Sequence, residues 1–355
     1  MEGNYSNISI IVAGYLNDSS TTWDIVNAFR DIGIRKSIFI NTYLLQKFTN
    51  IDHKIPFIRF RFFNTLSKYL YQIMFIYNFL FINNVDIIFL DKPKLLNKNF
   101  VSYLKSKSKM IVVYSRDSLI SKSNYSKSMM EAIDSCDEFI YTKTWEKNQI
   151  YNLLKNVRIT FYPHTSYKNK IEYNLSKKDR LSASDKFLFV GSFEHQRAKI
   201  LSEVARDENL KLLIIGPNWQ KDVRKKYSFN ENVLIKNGFI NRNKYLALAS
   251  ESIACLSFLR KEVNDQFTDR PVELALNEVC VISEYSEYQS LMFSDNKDCL
   301  YFRNSLELIS CMKKVSLNKN FSKAIARSAR LKALELKLTT QDLVGKILTL
   351  YLKQK

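Results

Sequence analysis

Residues 187–199 read FLFVGSFEHQRAK, and the fold follows from how this stretch is parsed. Four apolar residues make a strand-sized run, a glycine ends it, a short polar loop follows, and a helical segment begins. Strand, glycine, loop and helix in that order form the repeating unit of parallel sheets with crossover helices. The arrangement aims backbone N–H groups and a helix N-terminus at one point, where a phosphate can rest, and it puts Arg197 within reach as a bidentate clamp. His195 reads two ways, as a phosphate contact or as an exposed loop histidine.

The same rhythm extends in both directions. Downstream, strands are expected at residues 212–215, 233–236, 253–258, 279–283 and 299–302, with closing helices at 320–334 and 339–352. Upstream, strands are expected at 8–13, 37–40, 86–90, 110–114 and 138–141. Helical stretches lie at 21–32, 64–82, 97–106 and 127–135. The rhythm breaks near residues 162–163, and residues 166–186 are polar, lysine-rich and aperiodic. The organisation expected is an α/β chain of two Rossmann-like, doubly wound parallel-sheet domains: residues 1–163, a linker at 164–186, residues 187–335, and a terminal helix at 336–355 able to pack back on the first domain.

Composition narrows the function. The chain has 355 residues, 46% of them hydrophobic, enough for two real cores. Its 5 cysteines include no CxxC pair, which argues against a disulfide framework or a cysteine-rich zinc site. A net charge of +19 suggests phosphate-bearing partners. No basic run with interleaved aromatics and no finger or helix-turn-helix spacing accompanies it, so nucleic acid is not the expected partner. Anionic lipid or a diphosphate substrate uses the same charge. The N-terminal apolar run is too short for a signal peptide, and residues 69–82 fall short of the roughly 20 apolar residues that span a bilayer. The expected location is cytoplasmic, with attachment to the inner membrane face left open. The segment FIRFRFFNTLSKYLYQ at residues 57–72 opens the apolar stretch. It reads either as an interfacial helix that meets a lipid-linked acceptor or as a core helix with a solvated basic end.

In open parallel sheets ligands bind beyond the carboxyl ends of strands. With only 7 glycines in the chain, Gly14, Gly191 and Gly216 each directly follow an expected strand. Such positions suit tight turns or close approach to a ligand, and ordinary turn glycines are the alternative. The stretch LLIIGPNW ends on Trp219, which either stacks on a base or sugar or covers the core. In NDQFTDRPVELALNEVCVISE, residues 264–284, Thr268, Asp269 and Arg270 crowd a helix entrance and Pro271 suits the first turn. Asp265 and Glu273 offer carboxylates for vicinal hydroxyls, and Arg270 offers charge for a leaving diphosphate. An exposed cap with a surface Arg–Glu pair is the competing reading. In the first half, Asp117 is the carboxylate placed to touch an acceptor or assist proton transfer, and a structural cap is equally open. His164 reads as hinge packing or as a cleft residue.

Taken in order, GSFEHQRAK, IIGPNW, NGF, TDRPVELAL, VISE and LYFRNSLELI resemble the group 1 glycosyltransferases, in the branch that includes the spore-maturation protein CgeB. The resemblance covers about residues 161–310. It implies the GT-B fold, two Rossmann-like domains facing across a cleft, with the nucleotide-sugar donor in the second domain. It implies Glu273 on the donor ribose. Asp265 stands where the family commonly has a glutamate, and Ser192 replaces the usual arginine beside Gly191. Gly191, Arg197, Gly216, Trp219, Thr268 and Arg270 complete the implied donor site. With no D-x-D motif in the chain, arginines and a helix N-terminus take over from a metal, so no metal and no cofactor are expected. The implied activity is transfer from a nucleotide diphosphate sugar to a glycan or lipid-linked glycan in cell-surface polysaccharide synthesis, with retention of configuration. A GT-B-like nucleotide-sugar epimerase and a non-catalytic nucleotide- or sugar-binding module are the alternatives.

Overall fold

Short runs of Ile, Val, Leu and Phe become strands because crossover helices cover both faces of a parallel sheet, leaving no polar side to alternate with. In the computed structural model, which describes residues 5–16, 20–42, 57–80, 82–121, 124–168, 180, 183–261 and 264–354, these runs form two sheets in two separate units. One unit is Met1–Tyr167 with Thr340–Lys355, and the other is Lys168–Thr339.

The first unit holds β1 (Ser9–Gly14), β2 (Lys36–Asn41), β3 (Val85–Asp91), β4 (Ser108–Ser115), β5 (Glu138–Tyr141) and β6 (Arg158–Phe161), in the order β2-β1-β3-β4-β5-β6. All neighbours are parallel. Strand β6 escapes a periodicity search because it is a half-exposed edge with one strongly polar residue, Arg158. Ser20 starts the helix Thr21–Asp31 by accepting the Trp23 N–H at 3.1 Å, and Asn97 starts Lys98–Lys105 by accepting the Phe100 N–H at 2.9 Å. The helix Phe57–Phe79 buries Tyr71 and Phe75 against Phe100, with ring centroids 5.8 and 5.5 Å apart.

The C-terminal helix Thr340–Leu352 belongs to this first unit, where Leu343, Val344, Ile347, Leu348 and Tyr351 complete the core beside Ile10, Val12 and Val112. Residues His164, Thr165 and Ser166, expected in a linker, are instead buried in this unit, and the Ser166 carbonyl accepts the Thr340 N–H at 2.9 Å. Residues 169–179 and 181–182 of the expected linker lie outside the described residues.

The second unit holds β7 (Phe187–Val190), β8 (Leu212–Gly216), β9 (Val233–Asn237), β10 (Ala254–Ser257), β11 (Val281–Glu284) and β12 (Leu300–Phe302), all parallel, in the order β12-β11-β10-β7-β8-β9. Each strand lies within or beside a run read from the sequence. Helices Asp269–Leu276, Ser305–Leu317 and Lys319–Glu335 bury apolar faces into its two hydrophobic clusters.

Asp86 joins three strands and the C-terminal helix. Its carboxylate accepts the Ser9 N–H and hydroxyl, both at 2.9 Å, the Lys109 ammonium at 2.8 Å and the Tyr351 hydroxyl at 2.6 Å. Partial burial alone would raise its pKa. The donors from Lys109, Tyr351 and Ser9 outweigh that and hold it well below the usual carboxylate range. A pKa depressed by folding gives stability that is fully present above the unfolded value of about 3.9 and is lost as pH falls through the folded value. Asp86→Asn is expected to cost about 1–2 kcal/mol at neutral pH. It should also flatten the decline in urea midpoint below about pH 4. A variant whose midpoint follows the parent's at every pH would remove Asp86 from this role.

Candidate functional site

The strand order of the second unit reverses between β7 and β10. From β7 the chain goes to β8 and β9 on one side, then returns past β7 to place β10, β11 and β12 on the other. Loops leaving the carboxyl ends of β7 and β10 therefore diverge and open a crevice.

Gly191 follows β7 and Gly216 ends β8. A Cβ at Gly216 would lie 1.9 Å from the Gly191 carbonyl oxygen and 3.3 Å from the Ser192 nitrogen, so only glycine permits this passage of backbone over backbone. The two loops are pinned together by the Gly191 N–H on the Ile215 carbonyl at 3.0 Å and the Phe193 N–H on the Pro217 carbonyl at 3.0 Å. Trp219 adds its indole N–H to the Gly191 carbonyl at 2.9 Å. Its ring packs edge-on against Phe189, Phe193 and Phe229 and is 1% exposed. Trp219 is therefore a core residue that braces the glycine loop. The stacking role on a base or sugar is corrected, because no face of the ring is open.

Arg197 lies in the first turn of the helix His195–Val204 and spans the crevice. Its guanidinium donates to the Ser192 carbonyl after β7 and to the Leu259 carbonyl after β10, both at 3.4 Å, and pairs with Glu194 at 2.9 Å. The residue is only 7% exposed, and its Nε has no hydrogen-bond partner. Burial lowers its pKa. Glu194, Glu284 and Asp265 oppose that, and Arg260 adds to it. An arginine stays charged through such a shift.

Glu284, which ends β11, was not singled out from the sequence. Buried at the strand end, it accepts the Leu259 N–H at 3.0 Å and pairs with Lys261 at 3.1 Å. Its signal in the sequence was a carboxylate two positions after the apolar run at residues 279–282. Lys261, Asn264, Asp265, Glu284, Tyr285 and Arg303 border a cavity of about 360 Å³. That is near the lower end of the roughly 300–1,000 Å³ common for small-molecule sites. Asp265 is largely buried, and Arg303 stacks on Tyr285 at 3.9 Å.

A second cluster forms at the entrance to the helix Asp269–Leu276. Thr268 occupies the N-cap position without a side-chain cap. Arg270 lies over the Tyr245 ring at 4.2 Å, and Glu273 pairs with Arg242 and sits 4.0 Å from Arg270. Arg242 and Tyr245, on the helix Arg242–Glu251, are further residues that the sequence reading passed over. The structure thus groups Gly191, Ser192, Arg197 and Asp265 around the crevice, and Arg270 and Glu273 with their own partners.

His195 lies beside Tyr227, its Nδ1 2.5 Å from the phenol oxygen. In the first unit the order reverses between β1 and β3. Asp91, at the end of β3, is buried there. It accepts the Thr22 hydroxyl, pairs with Arg116 at 3.5 Å, and keeps Oδ1 without a hydrogen bond. Gly14 leaves the space, since a Cβ on it would meet Thr22 at 2.6 Å and Asp91 at 3.0 Å. Asp117 is half-exposed and paired with Lys92 at 3.2 Å. Among the described residues, no group of three or more His, Cys, Asp or Glu is placed to hold a metal ion.

A family model described as glycosyl transferase-like matches residues 196–348. Solved structures align over nearly the whole chain. The UDP-forming α,α-trehalose-phosphate synthase of Burkholderia vietnamiensis has a TM-score of 0.69 at 10% identity, covering 98% of this chain and 99% of that one. Sucrose-phosphate synthase of Thermosynechococcus elongatus gives 0.66 at 11%, with 98% and 99% covered. The fold is GT-B. HepE of Anabaena, in complex with UDP, gives 0.63 at 12%, with 98% and 100% covered. No curated protein matches the sequence. The chain thus has a GT-B fold, and its residues 196–348 are similar to the glycosyl transferase-like model.

Gly216→Ala should cost at least about 2 kcal/mol, because the new methyl meets backbone that cannot swing away. Gly345→Ala, in the helix Thr340–Leu352 with nothing within 4 Å of the added carbon, should be neutral or stabilise by about 0.5–1 kcal/mol. Equal effects in thermal unfolding would contradict the close approach at Gly216.

Proposed function

We propose that the protein is a glycosyltransferase moving a sugar from a nucleotide diphosphate donor to a glycan or lipid-linked glycan acceptor in cell-surface polysaccharide synthesis. The observation that carries the donor half of this reading is Arg197. It is a charged group held at the reversal of strand order, with an Nε that has no partner. Glu194 and two carbonyls engage the terminal nitrogens, and a diphosphate would supply an acceptor for the remaining Nε–H.

In this reading the backbone at Gly191 and Ser192 and the guanidinium of Arg197 meet the diphosphate, with Thr268 and Arg270 adding donors at a helix entrance. Glu273 turns to the ribose hydroxyls. Asp265 and Glu284 accept from hydroxyls of the transferred sugar. Charge leaving with the nucleotide is neutralised by arginine, without a metal. Asp117, in the first unit, meets the acceptor. Retention of configuration and membership of the CgeB-like branch follow from the resemblance in the motifs. A uridine diphosphate sugar is the first donor to test, since the Anabaena structure holds UDP and the Burkholderia enzyme is UDP-forming.

Thermal unfolding with UDP, GDP, dTDP and CMP tests the donor site. One nucleotide at about a hundredfold its Kd should raise the transition by several degrees. Arg197→Lys should reduce that rise, because lysine lacks the bidentate fork. Glu273→Gln should reduce it only for ligands bearing ribose. The donor site fails if no nucleotide moves the transition. The roles of the two residues fail if the variants shift as the parent does.

A further inference from the structure

The helix Phe57–Phe79 and the residue that follows it are apolar on two opposite faces. One face, with Ser67, Tyr71, Phe75 and Phe79, is buried in the first unit. The other carries Leu66, Tyr69, Leu70, Ile73, Ile76, Tyr77 and Leu80, each between 40% and 73% exposed. Their spacing follows the 3.6-residue period and makes one stripe covering roughly a third of the circumference. Scattered exposed apolar residues are ordinary, but seven in one stripe mark a surface that meets something. The side chains of residues 57–65 lie outside those described.

Charge identifies the partner. Residues 52–117 contain eleven lysines and arginines against four aspartates, Asp52, Asp86, Asp91 and Asp117, a surplus of seven in a chain whose total is +19. Asp86, Asp91 and Asp117 are engaged within the unit, by Lys109, Arg116 and Lys92. Beside the stripe, between this helix and Lys98–Lys105, lies a cavity of about 570 Å³ bordered by Lys68, Tyr69, Gln72, Ile76, Lys98 and Tyr103. Two ammonium groups at the edge of an apolar face suit an anionic headgroup whose acyl chains lie next to the stripe. A second copy of the chain fits poorly, because a two-fold pairing would bring the same cationic surplus together. The helix does not cross the bilayer: among the described residues no helix is long and apolar enough to do so.

We propose that this face docks on an anionic bilayer surface, with the helix lying in the plane of the interface and lipid phosphates between Lys68 and Lys98. The inference stands apart from the donor reading, since it rests on the first unit alone and is measured without nucleotide. The full chain is sedimented with vesicles of phosphatidylcholine alone and of phosphatidylcholine mixed with phosphatidylglycerol. Binding is expected to the mixed vesicles and to weaken with salt. The triple variant Tyr69→Ser, Ile73→Ser, Tyr77→Ser should lower partitioning at least about tenfold. The pair Lys68→Glu, Lys98→Glu should remove the preference for phosphatidylglycerol, and it keeps the test open should the triple variant misfold. Three results would overturn the proposal. They are a parent chain left in the supernatant, charge variants that bind as the parent does, and a dimer in sedimentation velocity that the triple variant disperses.

Discussion

A parallel sheet whose strand order reverses cannot close its own carboxyl edge. At β7 and β10 the chain departs in opposite directions, so no connection covers the gap between them. The local architecture of the second unit answers to that gap. Gly216 has no Cβ because the Gly191 backbone crosses over it, and Trp219 holds the crossing from below. Arg197 then ties the two diverging loops together through the carbonyls of Ser192 and Leu259. The first unit meets the same constraint at β1 and β3, with Gly14, Thr22 and Asp91 in the corresponding places.

Each crevice holds charges of both signs. In the second unit the Arg197 guanidinium is kept in place by Glu194 and by the buried carboxylates of Asp265 and Glu284 nearby. In the first the Asp91 carboxylate has Thr22 and Arg116 as donors. A buried cation with spare N–H capacity complements phosphate, and a buried carboxylate with a spare oxygen complements a hydroxyl.

How much of this was legible in the sequence depended on the range of the interaction. Strands such as Phe187–Val190 and Leu212–Gly216 were readable because burial on both faces writes a continuous apolar run. Strand β6 was not, since an edge needs less apolar surface. The glycines after strands were readable as points of close backbone approach, because such crowding leaves a local trace. Trp219 misled, because an aromatic after a strand-end glycine has the same letters whether its ring faces a ligand or the core. Glu284 and Asp91 went unselected for a related reason. Their importance arises from strand order, which sets residues far apart in the chain beside one another, and no local pattern records it.

The helix Phe57–Phe79 posed the sharpest ambiguity, between core packing and contact with a membrane surface. The core reading rested on its apolar circumference and the interfacial one on its mixture of arginines, lysine and aromatics, and the structure shows an apolar face on each side. Tyr71, Phe75 and Phe79 satisfy the core on one side, while Tyr69, Ile73 and Tyr77 continue the apolar character on the side the core does not use. Core packing requires only the first set. Selection for folding alone would leave the outer positions free to be polar, as they are on Thr21–Asp31, where Arg30 and Asp31 are exposed. An outer apolar stripe at helical spacing beside Lys68 and Lys98 is therefore a feature that packing of this helix into the core does not call for.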